Sequence, residues 1–194
     1  MGLREMKVYQ NISNAVYGMC KDVLCRNYPY ALSVEIPPHK DIDVVMHKLK
    51  SAYVRYEQSH QRSRARQRGE AVFRVIAVPS ERIAWIAATE GHHPYFFKNP
   101  NLRDIRKSWV TFGAYKIKRP KKARIEVTEQ VYWAAWEAIK GHTFRATSEE
   151  LEEMIRNLKW FKSSDTYRQK RTIARHLNRQ RKIHHLPLLD LSRL

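Results

Sequence analysis

The stretch TSEELEEMIRNLKWFKSSDTYRQKRTIARHLNRQRKI, Thr147 to Ile183, decides how the second half of the chain folds. Thr147 to Glu150 has the Ser/Thr-x-x-Glu form, in which a hydroxyl and a carboxylate satisfy two orphan amides at a helix start. Leu151, Met154, Ile155, Leu158 and Phe161 follow at three- and four-residue spacing, which predicts a helix with one face to bury. Ser163, Ser164 and Asp165 interrupt that pattern as a short polar turn and offer a second N-cap. In the helix beyond, Ile173, Ala174 and Leu177 form a narrow apolar seam. Arg168, Arg171, Arg175, Arg179 and Lys182 line up as a cationic stripe, which Lys170 and Arg181 are expected to widen.

Like charges at helical spacing repel one another, so a stripe of this kind points to a polyanion nearby. A helix pair whose second member is basic resembles a helix-turn-helix, in which the second helix enters the major groove of DNA. That resemblance implies base or phosphate contacts from Arg168, Lys170 and Arg171 near the helix start. Composition agrees: 37 Lys+Arg against 19 Asp+Glu give a formal charge of +18 and a sequence pI near 10.1, the electrostatic footprint of a nucleic-acid binder. Hydrophobic residues at 43% are enough for a packed core.

The first half reads as α+β. Ile12, Ala15, Val16, Met19 and Val23 predict a helix within Val8 to Leu24. Tyr30 to Ile36 alternates as a half-buried strand that Pro37 and Pro38 stop. Asp41 caps a long helix through Ile42, Val45, Met46, Leu49, Ala52, Tyr53 and Tyr56. Its continuation from Arg55 to Arg68, with Arg62, Arg64, Arg66 and Arg68, is expected to project as a helix or to form a basic arm that grips phosphate. Ala71 to Val78 and Ile83 to Thr89 predict an antiparallel hairpin. A short basic helix follows around Leu102 to Lys107, then a strand from Trp109 to Ile117, a basic turn with Lys118, Arg119, Lys121 and Lys122, and a strand from Arg124 to Val127.

That order is similar to a ferredoxin-like or RRM-like antiparallel unit. The expected fold is therefore an α+β sheet domain over 1–127 with an N-terminal helix, a three-helix section over 128–183, and an extended tail over 184–194. Thr128 and Gly141 bracket the first helix of that section.

His92 and His93, after a strand and beside Glu90, together with Tyr167 and Lys170, resemble the HUH family of rolling-circle initiators and relaxases. That resemblance implies a metal held by the histidines and Tyr167 as the nucleophile toward a DNA phosphate. This chain departs from the pattern, because adjacent histidines leave opposite faces of a strand. Tyr95, Phe96, Phe97 and Lys98 join Trp109, Arg103, Arg106 and Lys107 as aromatic and basic residues able to stack on unpaired bases, or simply to pack a core.

Cys20 and Cys25 fit neither a redox pair nor a zinc knuckle and are expected as reduced core residues. No run approaches the roughly 18 apolar residues of a membrane helix. The expectation is a cytoplasmic nucleic-acid-binding protein without metal or cofactor, with DNA favoured over RNA, acting in regulation or replication of a genetic element. Protein partners in a larger complex are compatible with it. The alternatives are an RNA-binding subunit of a ribonucleoprotein and a nickase using His92, His93 and Tyr167.

Overall fold

The computed structural model describes residues 6–56, 58–94, 96 and 101–194. The chain is α+β, with a mixed five-stranded sheet and a smaller antiparallel one, and it divides into two compact units, Met1–Ala123 and Arg124–Leu194.

The first unit is built on the hairpin of β3 (Phe73–Val78) and β4 (Ile83–Ala88), paired in full from Phe73↔Ala88 to Val78↔Ile83. β2 (Tyr30–Glu35) lies antiparallel along the other edge of β4. β1 (Met6–Val8) pairs parallel with β3, and the two-residue β5 (Arg103–Asp104) closes the far edge, giving the order β1-β3-β4-β2-β5. The sheet is thus mixed, not antiparallel. β1 is too short to show an alternation of its own in the sequence. It is recruited by the buried edge of β3, whose amides and carbonyls need partners. At β5, the expected helix around Leu102 is replaced by an edge strand and turn that Asp104 holds together through Arg106.

Both faces of the hairpin are covered. Phe73, Val75, Ala77, Ala84, Ile86 and Ala88 meet Ile42, Val45, Met46 and Leu49 of α2 (Ile42–Tyr53). On the opposite face, Arg74 donates to the carbonyl of Asp22, and Trp85 meets Phe112 edge to face at 5.9 Å. Asp22 sits in a π-helical turn, Cys20–Leu24, that continues α1 (Ile12–Met19). Phe112 belongs to β6 (Val110–Phe112), which pairs with β7 (Tyr115–Lys118). The single strand expected from Trp109 to Ile117 is this hairpin, because Gly113 at φ +54 turns the chain.

The helix expected through Tyr56 and beyond stops at Tyr53. The basic segment after it is a separate helix, α3 (Ser59–Gln67). It is docked: Ala65 is fully buried and Arg66 donates to the Tyr28 hydroxyl at 3.2 Å while lying over its ring. An unattached arm is therefore excluded for these residues.

The two cysteines are free thiols, Cys20 half-buried and Cys25 exposed, so Cys25 is not a core residue. Burial, and then the neighbouring Cys25, push the Cys20 thiol up to about 11. A raised thiol pKa leaves little thiolate at neutral pH. Alkylation at pH 8 is expected to label Cys25 first, with Cys20 following only as the pH approaches 11; equal rates at pH 8, read by peptide mass mapping, would contradict this.

The second unit opens with β8 (Arg124–Val127) and packs α4 (Glu129–Lys140), α5 (Ser148–Arg156) and α6 (Ser164–Ile183) around Trp136, Ile139, Leu151, Ile155, Ile173 and Leu177. Thr147 and Glu150 form the capping box, with bonds of 3.2 and 2.8 Å. Thr147→Ala is expected to cost about 1 kcal/mol; an unchanged urea midpoint would show that the cap contributes nothing. The segment after α6 is not an extended tail. Leu189 is buried in the helical core, Asn178 exchanges two hydrogen bonds with the Leu189 backbone, and a short 3-10 turn covers Leu191–Arg193.

Candidate nucleic-acid interface

At 100° per residue, Arg168, Arg171, Arg175, Arg179 and Lys182 fall within an arc of roughly 80° on α6. The opposite side carries Ile173, Ala174 and Leu177, all fully buried. That apolar seam fixes which way the stripe points, and all five cations are exposed. Arg168 is held by Asp165 at 3.1 Å. Among the described residues, Arg171, Arg175, Arg179 and Lys182 have no ion-pair partner. From Arg168 to Lys182 the row is about 21 Å long at 1.5 Å per residue.

Lys170 and Arg181 do not widen this row. Both lie on the buried side and bond carbonyls instead of facing solvent. Lys170 Nζ donates to the carbonyls of Arg156 and Leu158 at 2.9 and 2.8 Å, closing the end of α5. Arg181 is 2% exposed and donates to the carbonyls of Pro187, Thr143 and Ala146 at 2.6, 2.7 and 2.9 Å. Lys170 therefore tethers one end of α6 and Arg181 the other.

The start of α6 is fixed by β8. Asp165, almost fully buried, accepts from the Ile125 amide at 3.2 Å, and Gln169 pairs both backbone groups of Val127, at 2.9 and 3.2 Å. Ser163 caps the helix while donating to the Ile125 carbonyl. These bonds make α6 a rigid mount for its outer face.

No family model, curated protein or solved structure matches this chain.

The helix pair differs from the one expected. α5 ends at Arg156, and residues 157–163 link it to α6 without regular structure, so the connection is longer and more aromatic than a short polar turn. Leu158 and Phe161 have helical spacing from Ile155, but Lys170 takes the carbonyls of Arg156 and Leu158 that a continued helix would use. The link folds around a cavity of about 630 Å3 lined by Trp160, Phe161, Tyr167, Lys162 and Lys170. Sequence reading assigned this feature no role, although Lys159-Trp160-Phe161-Lys162 interleaves two cations with two aromatic rings.

In the first unit, Arg64, Arg66 and Arg68 of the α3 region are exposed and Arg62 is half-buried, donating to the Tyr56 carbonyl at 3.4 Å. Arg66 is committed to Tyr28, and Arg68 to Glu70 at 2.8 Å, which leaves Arg64 facing solvent. Lys118, the last residue of β7, and Arg119 are half-buried, while Lys121 and Lys122 are exposed. Arg106 is clamped between Asp104 and Glu90 at 2.8 and 2.7 Å. Among the described residues, the α3 region offers fewer unpaired cations than α6.

His92 and His93 diverge. His92 is exposed, its backbone bridged to Glu70, and Gly91 permits the approach because a Cβ there would meet the Ala71 amide at 2.5 Å. His93 is buried edge-on to Phe73 at 4.6 Å, and burial, followed by the charge of Arg55, lowers its pKa. Tyr167 is 43% exposed on α6 in the other unit. Phe96 packs on Tyr30 and Phe73 at 5.2 and 5.9 Å, which is core packing; Tyr95, Phe97 and Lys98 lie outside the described residues.

Proposed function

We propose that the protein binds nucleic acid, with duplex DNA as its preferred form, through the outer face of α6. The observation that carries this reading is the row of exposed cations on one rigid helix, four of the five without an acidic partner among the described residues. Such an arrangement raises the energy of the free protein by mutual repulsion and is relieved by phosphates. An α-helix fits the B-DNA major groove, which is about 12 Å wide, and side chains along about 21 Å of helix reach the backbones on both of its walls. Regulation or replication of a genetic element is the context such a protein would serve.

An RRM-like or ferredoxin-like reading of the first unit would place RNA on an open sheet face. The two central strands are buried on both faces, so base stacking there has no surface to use. The exposed cations of α6, and not the sheet, offer the surface for nucleic acid. The cationic row by itself positions phosphates and does not select a base sequence.

The test is fluorescence anisotropy of the full chain with 20-mers of duplex DNA, single-stranded DNA and RNA hairpin at equal salt, products being run on a denaturing gel in Mg. Tightest binding to duplex without cleavage is the expected result. Preference for the hairpin would move the assignment to a ribonucleoprotein subunit, and a cut strand that depends on Tyr167 would make the protein a nickase.

A further inference from the structure

The cavity between the end of α5 and the start of α6 has a composition that the DNA-binding face does not require. Its walls hold three aromatic side chains, Trp160, Phe161 and Tyr167. Its cations are Arg156, Lys159, Lys162 and Lys170, Leu194 completes the wall, and among the described residues no Asp or Glu side chain lines it. The volume of about 630 Å3 lies inside the roughly 300–1,000 Å3 of ordinary small-molecule sites.

Lys170 is the informative member. It is 8% exposed, and among the described residues its ammonium has two carbonyl acceptors and no carboxylate. An ammonium carries three N–H donors, so one remains for an occupant of the cavity that Lys170 lines. Burial, and then the charge of Lys162, lower its pKa. A charge held under those conditions is stabilised by an incoming anion. Flat aromatic walls beside buried and exposed ammonium groups select a ligand that joins a planar ring to an anion.

We propose that this cavity holds one unpaired nucleotide of a nucleic acid, its phosphate on Lys170 and Lys162 and its base against the wall of Trp160, Phe161 and Tyr167. The proposal rests on the nucleic-acid reading of the second unit, but it concerns a different surface from the stripe and a different form of ligand. It gives the protein a means of engaging a frayed or single-stranded position beside a duplex held by α6.

The experiment titrates the full chain with thymidine 5′-monophosphate, thymidine, inorganic phosphate and a hexathymidylate, following tryptophan fluorescence, with Trp160→Phe assigning the signal. Lys162→Ala and Tyr167→Leu change exposed side chains and leave the carbonyl bonds of Lys170 intact. The monophosphate is expected to bind about tenfold tighter than thymidine or phosphate alone, and the hexathymidylate to compete with it. Each variant should weaken both ligands about five- to tenfold without changing the thermal midpoint. Absence of monophosphate binding to about 10 mM, equal binding of bare phosphate, or no competition by the hexathymidylate would each overturn the proposal. A blunt duplex is measured alongside: if it binds and the monophosphate does not, only the cavity assignment fails, whereas the reverse outcome removes the role of the stripe and leaves the cavity.

Discussion

Replacing Arg171, Arg175 and Arg179 together by alanine is expected to lower duplex DNA affinity by about 10²–10³-fold at 0.1 M salt. Each phosphate neutralised by a cation contributes about 0.9 to the slope of log K against log salt. Removing three should therefore flatten that slope by about 2.7 and weaken binding by nearly tenfold per site at this ionic strength. The variant should stay folded. The three side chains are exposed, have no ion-pair partner among the described residues, and project away from Ile173, Ala174 and Leu177. Alanine also favours helix and removes like-charge repulsion along the face. Unchanged far-UV circular dichroism with the loss of affinity is the expected pair of results. Unchanged affinity in the folded variant would mean that α6 does not carry binding.

Arg181→Ala should unfold the second unit more readily than any single change on the stripe. Its guanidinium supplies donors to the carbonyls of Pro187, Thr143 and Ala146, joining the end of α6 to the segments before α5 and after α6. Truncation leaves those buried acceptors unsatisfied and opens a cavity, at a cost of about 3–5 kcal/mol. That is a large part of the roughly 5–15 kcal/mol by which a domain is stable. Arg181→Lys should recover little, because one ammonium cannot reproduce the planar fork. Urea denaturation followed by tryptophan emission measures it, and a loss below about 1 kcal/mol would mean that other groups hold these carbonyls.

The second unit was largely legible in the sequence because its signals are local. The capping box at Thr147 and Glu150, the second cap at Ser163 and the apolar seam on α6 depend only on spacing, and each appears in the fold. The helical angles of Lys170 and Arg181 carry their roles too: both fall on the side of Ile173 and Leu177. A cation on an apolar seam has to find acceptors, and here helix-end and loop carbonyls provide them.

What the sequence hid was non-local. β1 exists because β3 has an edge to satisfy, and nothing within Met6 to Val8 announces that. α3 reads as a detached basic arm because its only apolar anchor is Ala65, while the ring that holds Arg66 is Tyr28, distant along the chain. The link from Asn157 to Ser163 keeps helical apolar spacing but is pulled out of the helix by Lys170, a contact from the following element. The cavity formed there could not be anticipated before that contact was known.

The most direct test of the central claim is the salt dependence of duplex DNA binding by the unmodified chain between about 50 and 200 mM salt. Five exposed cations on α6 predict a log-log slope of about −4.5, with affinity falling several hundredfold across that range. A slope near zero, or no measurable binding at 50 mM, would contradict the assignment of α6 as a phosphate-binding face.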